Sequence, residues 1–380
     1  SDFNLFDTSP FYGNGLSEHR TGNFLKTVDE ESYFLSTKVG RYLTPEKKQN
    51  IDRGAWAGGL NFKLNLDYSY DGAMRSFEQS LLRLAVSKID ICLIHDVDKF
   101  TFGNEVDYYF KLAMNGAYKA IQKLKEEKVI KAIGVGLNDA DICAKFANEG
   151  DFDCMVLAGR YSLLEHQSAL NDFFPIVAKK NIGIILAGVF NSGILAKGIG
   201  NNVTYNYDKI PNHIREKYII VSEMCDRYKV PVPALALQFS YANKLISSMI
   251  LGMDRVEQIK QNISFLNHSI PDDLWKELIQ KKIIDERCPT PWLSKIMKIK
   301  ICAIGECMME LTNAKMIPIT AKTRIAFIIE VGTKLEPACP GGAFKITHPK
   351  KDKDINTRFT MLKLSETIPQ MIPVMYIILI

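Results

Sequence analysis

The sequence predicts an α/β protein, a (β/α)8 TIM barrel lacking its first strand, with an irregular C-terminal extension. Three observations predict it. Seven short apolar or β-branched runs alternate with longer segments of helical spacing through residues 1–270. The runs are apolar on both faces, which marks parallel strands covered by helices. Residues able to handle protons stand where three of the runs end, as they do at the carboxyl mouth of a barrel.

The strand-like runs fall at 3–6, 33–37, 89–94, 129–135, 154–157, 182–186 and 246–251. Between the second and third, Met74, Phe77, Leu81 and Leu84 share one face of a helix spanning 71–86. Further helical faces gather Tyr118, Ile121 and Leu124, then Leu170, Phe173 and Val177, and finally Val256, Ile259, Ile263 and Leu266. A barrel of this type needs eight strands. The chain opens within what reads as the second, so the first strand and its helix are expected to be missing. An open barrel exposes two sheet edges, which natural folds avoid, and an incomplete gene product is the plainest explanation.

Composition bounds the partners. The 380 residues are 47% hydrophobic with net charge +5, enough for a sizeable core. The charge is uneven: residues 294–380 hold 13 Lys and Arg against 7 Asp and Glu, leaving 35 against 36 in residues 1–293. The larger part therefore offers no broad electrostatic footing for nucleic acid. Eight cysteines are scattered without a CxxC spacing, several inside apolar runs. That favours buried thiols in a reducing compartment over disulfides or a metal site. The apolar end at 371–380 is too short to span a bilayer. The expectation is a cytoplasmic protein acting on a small molecule, with no nucleic-acid, membrane or metal partner and its oligomeric state left open.

The chemistry begins at Asp7-Thr8-Ser9-Pro10-Phe11-Tyr12-Gly13, where a carboxylate and a phenol stand five residues apart at a strand end. Lys38 and His95 close two later runs. Moving a hydride to or from a carbonyl needs a proton donor or acceptor beside it. Tyr12 can serve once its pKa, about 10 in model peptides, is lowered. The ammonium of Lys38 would do this by favouring the phenolate. Asp7 would hold Lys38 as an ion pair, and His95 could donate a hydrogen bond to the substrate oxygen. Singly, each has a plainer reading: Asp-x-x-Pro is commonly a turn, a strand-end lysine is commonly solvated, and a lone histidine is commonly structural. Their joint placement favours the catalytic reading.

These residues carry a resemblance. Asp7-x-Ser9-x-x-Tyr12-Gly13, with Gly15, Ser17-Glu18 and Gly22-x-x-Leu25 after it, is similar to the signature of the aldo-keto reductases, as are Ser36-Thr37-Lys38 and Ile94-His95-Asp96. The segment 62–72 (FKLNLDYSYDG) and Arg75-Ser76-x-Glu78-x-Ser80-Leu81-x-Arg83-Leu84 resemble the D-threo-aldose 1-dehydrogenase branch, which includes L-fucose, galactose and pyridoxal 4-dehydrogenases. The resemblance covers residues 1–293 and implies Asp7, Tyr12, Lys38 and His95 as a catalytic tetrad. It also implies an extended nicotinamide dinucleotide bound without a Rossmann domain. Gly134-Val135-Gly136 is by itself a weak dinucleotide signal, and by resemblance it ends the strand that holds the carboxamide, with Asn138 as hydrogen-bonding partner.

By the same resemblance, Phe190, Asn191, Ser192, Gly193 and Leu195 follow the next-to-last strand, and small polar residues there can bring backbone N–H groups to a pyrophosphate. Gly252, Arg255, Gln258 and Asn262 follow the last strand. NADPH-preferring relatives carry a lysine and an arginine where Gly252 and Gln258 stand, and losing two cations weakens selection for the 2′-phosphate. NAD is the favoured cofactor, with NADP kept open because Arg255 could replace them. Trp56, Phe62, Tyr68, Tyr70 and Arg160-Tyr161 come from the same barrel face, and aromatic surfaces suit a sugar pocket. Trp56 and Tyr161 are the substrate candidates, and a core role for Tyr68 and Tyr161 is the alternative.

After residue 293 the character changes. Residues 298–311 (KIKICAIGECMMEL) resemble the opening strand of 2-keto-3-deoxygluconate kinase, a ribokinase-like sugar kinase, but no catalytic segment of that family follows and kinase activity is not expected. Residues 312–380 show no sustained period and read as an unassigned tail, misread or disordered. The functional expectation is an NAD(P)-dependent oxidoreductase acting at the anomeric carbon of an aldose of the L-fucose or D-threo type. The alternatives are a pyridoxal 4-dehydrogenase, a carbonyl reductase, a non-catalytic dinucleotide-binding barrel and an inactive fragment.

Overall fold

The computed structural model describes residues 4–291, except 52, 54, 55, 57, 201, 202, 207 and 254. The expected boundary at 293, the kinase-like stretch and the tail therefore lie outside the described residues. Seven parallel strands form one curled sheet in chain order: β1 (Leu5–Asp7), β2 (Phe34–Val39), β5 (Ile91–His95), β6 (Ala132–Leu137), β7 (Cys154–Ala158), β8 (Gly183–Ala187) and β9 (Ile246–Met249). Two further strands, β3 (Arg41–Pro45) and β4 (Phe62–Leu66), make a separate antiparallel hairpin. Among the described residues no strand joins β1 to β9, so the sheet keeps two edges.

All seven expected strands exist, but most run one or two residues further toward the carboxyl side than the apolar runs suggest. The added residues include Asp7, Val39 and His95, and β2 takes in Lys38 as well. Side-chain period decides why this is tolerated. In a strand alternate residues face opposite sides, and Asp7, Lys38 and His95 share parity with Leu5, Ile91 and Leu93. Register aligns them: Asp7 is opposite Ser36, Lys38 opposite Leu93, and His95 opposite Gly136. Leu5, Ile91, Leu93, Ala132, Cys154, Val156, Ile185 and Ala187 form an apolar cluster on this face. The opposite parity, with Leu35, Cys92, Ile94, Ile133 and Val135, packs into the larger core under the helices.

The helix Tyr70–Leu84 starts where the Ser69 hydroxyl accepts the N–H of Gly72 at 3.1 Å, an N-cap. Phe77 and Leu84 are buried, and Met74 and Leu81 pack against the same core, as the spacing predicts. The last helix face departs from expectation. Val256 and Ile263 are 40% and 39% exposed, because Asn262 and Leu266 provide the buried side of the helix Val256–Leu266. Gly40 lies between β2 and β3 with φ of 103°, and a Cβ there would sit 2.3 Å from the Tyr68 ring. Only glycine allows both the backbone and the approach, and the turn it makes sends Arg41 back over the sheet end. No helix among the described residues is long and apolar enough to cross a membrane.

Candidate active site

Asp7 closes β1 and its carboxylate is ion-paired with the Lys38 ammonium, both side chains fully buried. Lys38 Nζ also donates to the Thr8 carbonyl at 3.0 Å, so the lysine is held from two sides of one strand end. Burial raises the Asp7 pKa to about 6, against the pull of Lys38. Burial likewise lowers that of Lys38, against Asp7 first and then Asp96 and Glu18. Each charge is therefore kept in the interior mainly by the other. The Lys38 ammonium stands 4.8 Å from the centre of the Tyr12 ring.

Tyr12 is buried and forms part of an aromatic group. Its ring centre is 5.7 Å from that of His95, edge-on at 87°, and 5.4 Å from that of Trp56. Phe11 sits edge-on to both Trp56 and His95, at 5.5 and 6.0 Å. The structure thus brings Asp7, Tyr12, Lys38, His95 and Trp56 together from four separate stretches of chain.

His95 is buried, and its pKa is held well below the usual histidine value by burial first, then by Arg41 and Lys38. The ring is neutral near pH 7. Its Nδ1 lies 3.1 Å from the Ser9 hydroxyl and its Nε2 lies 3.4 Å from an Asp96 carboxylate oxygen. Arg41 pairs with that same oxygen at 3.2 Å and lies over the Phe11 ring, 4.9 Å from its centre. Burial raises the Asp96 pKa to about 6, opposed mainly by Arg41. The Tyr68 hydroxyl donates to the His95 carbonyl at 2.6 Å, anchoring the backbone from below. Ser9, Phe11, Arg41 and Asp96 are residues to which sequence reasoning gave no role. Asp96 follows the candidate His95 directly and Ser9 lies between Asp7 and Tyr12, but nothing local marks Arg41.

Several candidates sit differently from expectation. Tyr161 is the main correction: it is 1% exposed, stacked on Phe239 at 5.2 Å and packed on Phe174, with its hydroxyl accepting from Asn243. It belongs to the core under the helices, away from the Tyr12 face. Tyr68 is fully buried, and Tyr70 is exposed at the start of its helix. Asn138 donates its amide to Asp98 at 2.8 Å, so that N–H is engaged within the protein. Leu195 is a core residue, and Asn262 is buried on the inner side of its helix.

The remaining cofactor candidates follow the carboxyl ends of β8 and β9. Opposite His95, Gly136 packs without a side chain beside Lys38, where a Cβ would meet Lys38 Cε at 3.4 Å. After β8, Asn191, Ser192 and Gly193 take successive left-handed conformations, with φ of 46°, 55° and 93°. Asn191 donates to the Gly159 carbonyl at 3.2 Å, while its Oδ1 is buried without a hydrogen-bond partner. Phe190 is half-buried beside it and accepts the N–H groups of Gly193 and Leu195. After β9, Gly252 and Arg255 are exposed ahead of the helix that carries Gln258. A buried acceptor without a donor, and a glycine in place of a side chain beside the Lys38 chain, fit a nicotinamide dinucleotide. Among the described residues no cluster of His, Cys, Asp and Glu could hold a metal ion.

The sequence profile of the Aldo/keto reductase family matches residues 2–283. The chain is 37% identical to the pyridoxal 4-dehydrogenase of Microbacterium luteolum over 75% of its own length and 85% of that protein. It is 34% identical to the D-threo-aldose 1-dehydrogenase of a Pseudomonas species, over 75% and 84% of the two chains. Among solved structures, the holo form of an aldo-keto reductase from Bacillus halodurans superposes with a TM-score of 0.55 at 20% identity, covering 73% of this chain and 82% of that one. The chain belongs to the aldo/keto reductase family, nicotinamide-dependent oxidoreductases of small molecules.

Proposed function

We propose that the protein is a dehydrogenase of cyclic hemiacetals, with an aldose oxidised at its anomeric carbon to the lactone. The observation that carries this reading is the Tyr12 ring close to both the Lys38 ammonium and the neutral His95 ring. A nicotinamide dinucleotide, when bound, supplies the hydride acceptor. Tyr12 takes the proton of the anomeric hydroxyl as its phenolate, which the adjacent ammonium favours. Asp7 keeps Lys38 charged and aimed. His95 donates an N–H to the same substrate oxygen and holds it while it becomes a carbonyl. Trp56 and Phe11 wall the mouth and present aromatic faces to the sugar ring.

Phe190, Asn191, Ser192 and Gly193 would hold the dinucleotide after β8, with Arg255 and Gln258 after β9. We favour NAD, because Gly252 and Gln258 stand where a 2′-phosphate would call for cations. Five cysteines among the described residues are buried and unbridged, which suits a reducing, cytoplasmic setting.

A second reading has its own support. Pyridoxal also closes to a cyclic hemiacetal, its planar ring suits the Phe11, Tyr12 and Trp56 group, and one relative bears that activity in its name. Assaying L-fucose, D-arabinose, L-galactose and pyridoxal, each with NAD and NADP, decides between them. An aldose with NAD should give the highest kcat/KM. Pyridoxal leading by tenfold would transfer the assignment to it.

A further inference from the structure

The surroundings of the His95 ring hold more information than its place beside Tyr12. A neutral imidazole carries one N–H and one bare nitrogen, and the hydrogen bond at one nitrogen sets the state of the other. Two residues face the two nitrogens here. Ser9 Oγ lies 3.1 Å from Nδ1 and at the same time accepts the N–H of Phe11 at 3.1 Å. With that backbone donor fixed on its oxygen, the serine hydroxyl is free to give its own proton to the ring.

Asp96 decides the other side. Its Oδ2 stands 3.4 Å from Nε2, and that oxygen also meets the Arg41 guanidinium at 3.2 Å. A bare Nε2 lone pair turned toward a carboxylate oxygen is repelled, whereas an N–H there is attracted. The Arg41 partner keeps Asp96 ionised near neutral pH although burial raises its pKa to about 6. Asp96 itself is held in a left-handed conformation, φ 48°, which turns its carboxylate back toward the ring it follows in sequence. Left-handed backbone at a non-glycine residue costs energy and persists where surrounding contacts hold it. Asn138, at 3.4 Å from Oδ1, and Arg41 are those contacts.

We propose that Ser9 and Asp96 are positioning residues that lock His95 as the Nε2–H tautomer, so that the ring presents a donor to the substrate oxygen. The hydrogen bonds run in one direction, Phe11 N–H to Ser9 Oγ and Ser9 O–H to His95 Nδ1, while the Asp96 carboxylate 3.4 Å from Nε2 favours a proton there by charge without a hydrogen bond. Because Nε2 makes no hydrogen bond to Asp96, its N–H is left for the substrate oxygen, with no proton relocation. This deepens the dehydrogenase reading and rests on His95 acting as it describes.

The test is nitrogen-15 NMR of the histidine rings in the full chain, His95 being assigned by difference from His95→Gln, together with kinetics of Ser9→Ala and Ser9→Thr. The expected spectrum has His95 Nε2 protonated and Nδ1 in the range of a hydrogen-bonded acceptor. Ser9→Ala should mix the tautomers and lower kcat about tenfold with the KM for the dinucleotide unchanged, while Ser9→Thr, which keeps the hydroxyl, restores both. A wild-type His95 protonated at Nδ1 overturns the proposal whatever the kinetics. An Nε2–H ring unaffected by Ser9→Ala overturns the role of Ser9. A tautomer shift in Ser9→Ala with an unchanged oxidation rate supports the tautomer lock and counts instead against His95 as the group that holds the substrate oxygen.

Discussion

The ammonium of Lys38 lies 4.8 Å from the centre of the Tyr12 ring while its charge is balanced by the buried carboxylate of Asp7. A cation in that position does two things. In the proposed oxidation it would favour the phenolate, and it cannot be removed without stranding Asp7. The proposed function and the stability would therefore be coupled at this pair, and both can be measured.

Removing one member of a buried ion pair leaves the other uncompensated, at a cost of about 3–5 kcal/mol. Lys38→Met should lower the urea unfolding free energy by about that much at pH 8 and abolish oxidation. The sign of its pH dependence follows from Asp7. Burial already lifts this carboxyl from 3.8 to about 6, and losing Lys38 lifts it further. A group with a raised folded pKa gives stability that is complete below its unfolded value and is lost as pH rises through the folded one. The deficit of Lys38→Met should therefore grow from pH 5 to pH 8. A deficit that is flat across that range would contradict the pairing.

Activity should follow the same carboxylate from the other side. Below about pH 6 Asp7 gains a proton and no longer holds Lys38 by charge. Oxidation also needs Tyr12 without its proton. The kcat/KM for oxidation should fall at least tenfold between pH 7.5 and pH 5. A profile independent of pH over this interval would remove the proton acceptor from the account.

A different histidine should contribute to the acid sensitivity of the fold. His166 is buried, its Nδ1 contacts the Ser162 carbonyl at 2.9 Å and its Nε2 accepts the Asp285 N–H at 3.2 Å, so the neutral ring is fully used. Burial lowers its pKa from 6.5 to about 4. With a depressed folded pKa, its stabilisation is present above pH 6.5 and is lost as pH falls through 4. The difference is on the order of 3 kcal/mol. Denaturant melts of wild type and His166→Gln should converge as pH falls from 7 to 4. Parallel curves would show that the ring is not held neutral.

Cofactor choice is testable at the helix that follows β9. Gln258→Arg adds a guanidinium near its start, and a charge-assisted pair with a 2′-phosphate should raise the NADP-to-NAD ratio of kcat/KM about tenfold. An unchanged ratio would mean that the ribose binds elsewhere.

How much of this was legible depended on how local each feature is. The β1 turn is written in one continuous stretch, so Asp7 and Tyr12 could be read together, and strand-ending positions brought in Lys38 and His95. Arg41 could not be found this way. Its partners Asp96 and Phe11 lie 55 residues after it and 30 before it, and the link depends on the turn at Gly40. Tyr161 misled for the converse reason. An aromatic after a strand end gives no sign of which side of the sheet it takes, and past Gly159, with φ of 71°, the chain turns toward Phe239. The helix at 256–266 misled because Val256 and Ile263 keep the helical period without being covered.

The central claim is that Tyr12 takes the proton from a hemiacetal hydroxyl as hydride leaves the same carbon. It is tested most directly with an aldose deuterated at its anomeric carbon, comparing wild type with Tyr12→Phe. Wild type should transfer the deuterium to the dinucleotide with a normal primary isotope effect. Tyr12→Phe should be slower by about a thousandfold while its dinucleotide affinity, read by fluorescence titration, stays within twofold. Label retained in the sugar product, or a Tyr12→Phe rate within tenfold of wild type, would contradict it.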